Sequence, residues 1–250
     1  MRSHESGNAI FYILIAVALL AGLSYAVSLS GRGNQSAISS QQARLHALGI
    51  IEYAEILKNS VSQIRLRGYQ DTEISFENNI VSGYENAFCT GEGCKLFEIN
   101  GGGISYLEPE ALWLDSAAAS ATPFTEIGDL LGEWYIPANT CVHSVGTGGD
   151  NCWNDPGDVT ELIVFLPWVK EQICEEINIA LGINLPDGTP SDIGGSMFPP
   201  GGDKFEGVYL TGSIHPHVDN DFVEEACIYH KSVEARPGLG YFYYKVLIAR

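Results

Sequence analysis

Residues Ala9–Ser30 read AIFYILIAVALLAGLSYAVSLS. The run carries no charge, and eleven of its positions are Leu, Ile, Val or Phe. A helix rises about 1.5 Å per residue, so about 20 such residues span the roughly 30 Å hydrocarbon layer of a bilayer. The run therefore predicts a membrane helix. A cleaved export signal is the alternative, and Ala26-Val27-Ser28 loosely resembles its small-x-small site. The apolar region of such signals is shorter, about 7–15 residues, which favours the anchor. Met1–Asn8 is polar, and its Arg2 keeps that end cytoplasmic under the positive-inside rule. The chain beyond Ser30 is then expected outside the cytosol.

Charge and cysteines agree with that placement. The 250-residue chain has 31 acidic and 13 basic residues, a formal net charge of −18. Such a surface excludes nucleic acid and anionic headgroups as partners, because both need basic residues to replace their counterions. Calcium among the carboxylates is the sharper reading of the same charge, and a self-repelling soluble surface the plainer one. All six cysteines, Cys89, Cys94, Cys141, Cys152, Cys174 and Cys227, lie beyond the apolar run. An even number in an exported region predicts three disulfides. Fifteen pairings are open, and spacing favours 89–94, 141–152 and 174–227. The absence of a C-x2-C pair makes a zinc site the weaker reading.

Gly31-Arg32-Gly33-Asn34 interrupts the apolar run. Beyond it Ala47, Ile50, Ile51, Ala54, Leu57, Val61 and Ile64 step by three and four, predicting an amphipathic helix over 39–67 that ends at Gly68. From Thr72 the texture becomes β-like. Strand candidates are 73–77, 95–99, 104–107, 133–136, 161–166, 205–210 and 226–229, and YFYYKVLIA at 241–249 is the plainest. Asn100-Gly101-Gly102-Gly103 is a hairpin signal. A further helix is predicted over 168–181, with Cys174 on its buried face and Gly182 as its stop. The Pro/Gly-rich stretch 184–203 is a loop long enough to be functional.

Two strings could hold a cation. In an extended His215-Pro216-His217-Val218-Asp219-Asn220-Asp221, the alternate residues His215, His217, Asp219 and Asp221 share one side, which would suit zinc or calcium. Asp150–Asp158 is rich in hard oxygen ligands but lacks the spacing and closing glutamate of an EF-hand loop. Turn clusters explain both strings equally well. There is no Gly-x-Ser-x-Gly elbow, no HExxH and no phosphate-cradling glycine loop, so the chain does not read as an enzyme.

A polar leader ending in Gly7, an apolar run, an amphipathic helix and a cysteine-bearing β region succeed one another. In this order of parts the chain resembles the type IV pilin and type II secretion pseudopilin superfamily. The resemblance implies cleavage between Gly7 and Asn8 and assembly through the N-terminal helix, first in the membrane and then in a filament core. Tyr12 stands where the family usually has glutamate, and Asn8 where it usually has Phe or Met. Some minor, tip-located members also lack the glutamate, so the resemblance fits a minor or initiating subunit; the alternative is a chain that keeps its leader and never enters a filament. Ala16, Ala18, Ala21 and Gly22 would let neighbouring helices approach closely.

The expectation is thus an α+β chain. A leader (1–8), a transmembrane helix (9–30) and an amphipathic stalk (31–68) lead into an extracytoplasmic, disulfide-stapled antiparallel sheet domain (69–250) with at least one more helix. Its expected partners are the membrane and other pilin-like subunits, with no cofactor. The rivals are a single-pass receptor or adhesin binding glycan or calcium through 150–158 and 184–203, and an anchored metal-dependent hydrolase using His215 and His217.

Overall fold

The computed structural model describes residues 12–17, 19–20, 39–121, 128–142, 145–146, 160–183, 204–210, 223–230 and 240–250. The chain divides into two compact units, residues 1–39 and 40–250. In the first, residues 12–17 and 19–20 are helical, and Tyr12, Ile13, Leu14, Ile15 and Val17 are exposed.

The second unit is α+β. Helix α1 spans Ser40–Leu66 and buries Ala43, Ala47, Ile50, Tyr53, Ala54, Leu57, Ser60, Val61 and Ile64. These steps of three and four make one stripe, as the periodicity predicts. Gly68, at φ +100°, supplies the left-handed residue that ends it. Strands β1 (Leu162–Val169), β2 (Glu225–His230) and β3 (Gly240–Ile248) form an antiparallel sheet in the order β1-β3-β2. The apolar β3 is central because it can be buried on both faces while its backbone is paired on both edges. The described residues also form two short α-helices, α2 (Ser116–Ala121) and α3 (Glu171–Ala180), and three single-turn 3-10 helices at Asp71–Glu73, Glu92–Cys94 and Ala111–Trp113.

Side-chain alternation sorts the sheet residues. One face carries Ile163, Phe165, Ala226, Ile228, Phe242, Tyr244 and Val246 into a core shared with Tyr135 and Val142. Cys227, Tyr243 and Lys245 point the other way, toward α1 and α3. Near the end of β1 the non-glycine residue Trp168 sits at φ +63°, where the register slips between Pro167 and Val169. Helix α3 is then stapled to β2 by the Cys174–Cys227 disulfide. Its Asn178 adds a second tie, donating to the Cys227 carbonyl at 2.7 Å and accepting from the Cys227 N–H at 2.9 Å. That side chain replaces a neighbouring strand at this point of the edge.

Three features differ from the sequence reading. First, the long transmembrane-plus-amphipathic N-terminal helix is corrected. Among the described residues no helix is long and apolar enough to cross a membrane. The long helix that is present starts at Ser40 and carries Glu52, Glu55, Lys58 and Arg65, so it lays one face on a sheet and gives the other to water.

Second, the segments 73–77, 95–99, 104–107, 133–136 and 205–210 form no strands, only isolated bridges such as Ser75 to Lys95 and Tyr135 to Phe165. Tyrosine hydroxyls and isolated backbone bonds take the place of a ladder. Tyr84 donates to the Trp134 carbonyl and accepts from the Ile136 N–H, both at 3.0 Å. Tyr53 on α1 accepts from the Leu107 N–H at 2.9 Å, and Tyr106 from the Trp134 N–H at 3.1 Å.

Third, residues 100–103 make a compact turn instead of a hairpin. A Cβ on Gly101 would sit 1.8 Å from the Lys95 carbonyl oxygen, and one on Gly102 2.3 Å from that of Leu96. The glycines are there for close backbone approach.

Candidate functional site

The outer side of α1 exposes large apolar side chains. At 100° per residue Leu45, Leu48 and Ile56 fall away from the buried stripe. They are 69%, 45% and 39% exposed. Leu112, also exposed, belongs to a turn held against the helix by a 3.0 Å bond from Trp113 Nε1 to His46 Nδ1. These large apolar side chains stand on one helix face of an acidic protein.

A polar clasp fixes which face of α1 points out. Lys245 lies in the middle of β3 and is only 5% exposed. Its Nζ meets Glu55 Oε2 of α1 at 2.7 Å and also Glu225 of β2. Tyr243 donates to the other Glu225 oxygen at 2.6 Å, and Lys58 pairs with Glu224 at 2.8 Å. Burial alone would lower the Lys245 pKa, but hydrogen bonds to Glu225 and Glu55 outweigh it and hold the amine above the ordinary lysine value. The same bond to Lys245 lowers the pKa of Glu55. Burial, then the Glu225 charge, pushes Tyr243 far up. Both Tyr243 and Lys245 therefore keep their protons at neutral pH. The cluster is an ion-paired tie between helix and sheet, with neither group poised as a base or nucleophile. Its sequence signal is a lysine inside the apolar run YFYYKVLIA, which needs partners once buried.

Glu161, at the head of β1, is fully buried. One of its oxygens accepts from the Val142 N–H at 2.7 Å, and the other has no partner among the described residues. Burial pushes its pKa up to about 7, against the Val142 bond and the charge of Arg250.

The residues singled out from sequence fall in several places. Cys89 is bonded to Cys94, and Cys174 to Cys227. Cys141 is disulfide-bonded, and Cys152 lies outside the described residues. Tyr12 and Ala16 are on the short helical stretch of the first unit. Gly7, Asn8, Ala18, Ala21 and Gly22 lie outside the described residues, as do His215, His217, Asp219, Asp221 and both candidate loops, 150–158 and 184–203. Among the described residues no group of three or more His, Cys, Asp or Glu side chains could hold a metal. The disulfides point to an oxidising compartment outside the cytoplasm.

Comparison with protein-family models, with curated proteins and with solved structures finds no match for this chain.

Proposed function

We propose that the chain is a non-enzymatic, pilin-like structural subunit of a surface filament or secretion apparatus, present in few copies. Residues 40–250 work outside the cytoplasm, and the apolar residues 9–30 attach the chain to a membrane or to the body of the assembly. The observation that carries the reading is the exposed apolar face of α1, Leu45, Leu48 and Ile56, held outward by the Lys245 clasp. A subunit of an assembly would cover such a face on its neighbours. Tyr12 in place of the family's glutamate favours a minor subunit.

The test is cysteine cross-linking of the full-length chain in its own cell envelope. Leu48→Cys with a short bis-maleimide should give cross-linked species with itself or with other envelope subunits, and Leu48→Glu should abolish their assembly without altering the fold. A Leu48→Cys protein that stays uncross-linked in every fraction refutes the assignment.

A further inference from the structure

At the C-terminal end of α1 lies an open cleft of about 730 Å³ that the assembly reading does not use. That volume is within the range of small-molecule sites, about 300–1,000 Å³. Three separate parts of the chain build it. The last turn of α1 brings Arg65, and the turn after it brings Gln70, Asp71 and Thr72. Tyr209 comes from a segment fixed to the domain by bonds from the Phe205 N–H to the Ile136 carbonyl at 2.9 Å and from the Leu210 N–H to the Ala138 carbonyl at 3.0 Å. Arg250 comes from beyond β3.

The walls are set before any ligand arrives. Gln70 N–H donates to Glu73 Oε2 at 2.6 Å, and Asn86 donates to the Thr72 carbonyl at 2.8 Å. Gly207, at φ +89°, packs where a Cβ would lie 2.5 Å from that same carbonyl oxygen.

The two arginines differ. Arg65 Nε is paired with Asp71 Oδ1 at 2.7 Å, so its charge is largely met. The Arg250 guanidinium lies over Tyr209, 3.9 Å from the ring centroid. Among the described residues no carboxylate lies within ion-pairing distance of it. Glu161 acts on it at longer range, and that buried carboxyl is drawn toward its neutral form. An unpaired, aromatic-stacked guanidinium in a cleft is a fork prepared for two parallel N–H···O bonds to a carboxylate. In a protein of net charge −18, two of its 13 basic residues sit together here. Gln70 and Thr72 are the groups that hydrogen-bond hydroxyls.

We propose that this cleft binds a small polyhydroxylated carboxylate, of the class of an acidic monosaccharide. Its carboxylate pairs with Arg250, and its hydroxyls bond to Gln70 and Thr72. The site is separate from the assembly face and stands or falls without it.

The probe is glucuronate, titrated calorimetrically into the full-length chain in detergent, with glucose and inorganic phosphate as comparisons. Glucuronate should bind, and glucose should bind at least tenfold more weakly. Arg250→Gln should weaken glucuronate at least tenfold. Asp71→Asn removes a competing negative charge and frees Arg65, so it should tighten glucuronate severalfold, a gain that misfolding does not produce. No glucuronate binding at ~10 mM, far above the Kd of a specific site, overturns the proposal. So does binding that Arg250→Gln leaves unchanged or that Asp71→Asn weakens. Phosphate binding tighter than glucuronate overturns the carboxylate assignment.

Discussion

Replacing Glu161 by Gln isolates the cost of one buried carboxyl. Glu161 is fully buried, with one oxygen bonded to the Val142 N–H and the other without a partner among the described residues. Its pKa rises from the ordinary 4.5 to about 7 in the folded chain. Between those values the folded state holds a proton that the unfolded state has released. The unfolded state binds fewer protons there, so stability falls as pH rises through the window. Below 4.5 the group is neutral in both states and the effect is absent. Above about 7 the loss is complete.

The difference of 2.5 units between 4.5 and about 7, at about 1.4 kcal/mol each, comes to about 3–4 kcal/mol. Gln has the shape of the neutral acid and can still accept from Val142, so it escapes this loss. Urea denaturation of both proteins at about pH 4.5, 6 and 8.5 measures it. The other titrating groups are common to the two proteins and cancel in the difference. The variant should match the parent at the lowest pH and exceed it by about 3–4 kcal/mol at the highest. A difference independent of pH, or a parent more stable than the variant at the highest pH, would refute the reasoning.

Lys245→Ala strands the Glu225 carboxylate, 14% exposed, beside Glu55, and should destabilise by about 3–5 kcal/mol in the same assay; adding Glu225→Gln should recover part of that loss. Cys174→Ser opens the staple between α3 and β2, which closes a separation of 53 residues, and should cost about 4 kcal/mol. Cys89→Ser opens a separation of only 5 and should cost about 2; equal losses in thermal unfolding would contradict the loop-length ordering. Gly101→Ala forces a methyl to within 1.8 Å of the Lys95 carbonyl oxygen, so it should lower the melting temperature while Gly91→Ala, with open space around it, leaves it unchanged. A Gly7→Trp protein should keep its leader, residues 1–7, by intact-mass measurement and stay out of the assembled form, whereas the assembled parent should lack the leader; an intact leader on the assembled parent sinks the processing expectation.

Local signals are sufficient wherever burial has a period. Helix α1 is legible because residues 43–64 repeat at three and four, and an amphipathic stripe needs only a flat apolar neighbour to become a helix on a sheet. The strands β1 and β3 are legible because each is an apolar run bounded by polar residues. Cys174 on the buried side of α3 already implies a staple to the sheet.

The same local reasoning fails where alternation is present and strand partners are not. Residues 73–77, 104–107 and 133–136 alternate like strands, yet their backbone groups are met largely by Tyr53, Tyr84, Tyr106 and isolated bridges. Pairing depends on which chain lies alongside, and no local pattern carries that. The hydropathy of residues 9–30 likewise reports the solvent a segment prefers, not the structure it enters; the long helix of the described chain is the charged, one-faced α1. The Lys245 clasp joins positions 55, 225 and 245, and the cleft joins 65, 71, 209 and 250. Those residues are strangers in sequence. Only the packing of α1 across the sheet brings them within a few ångströms, where charge and hydrogen bonding can act.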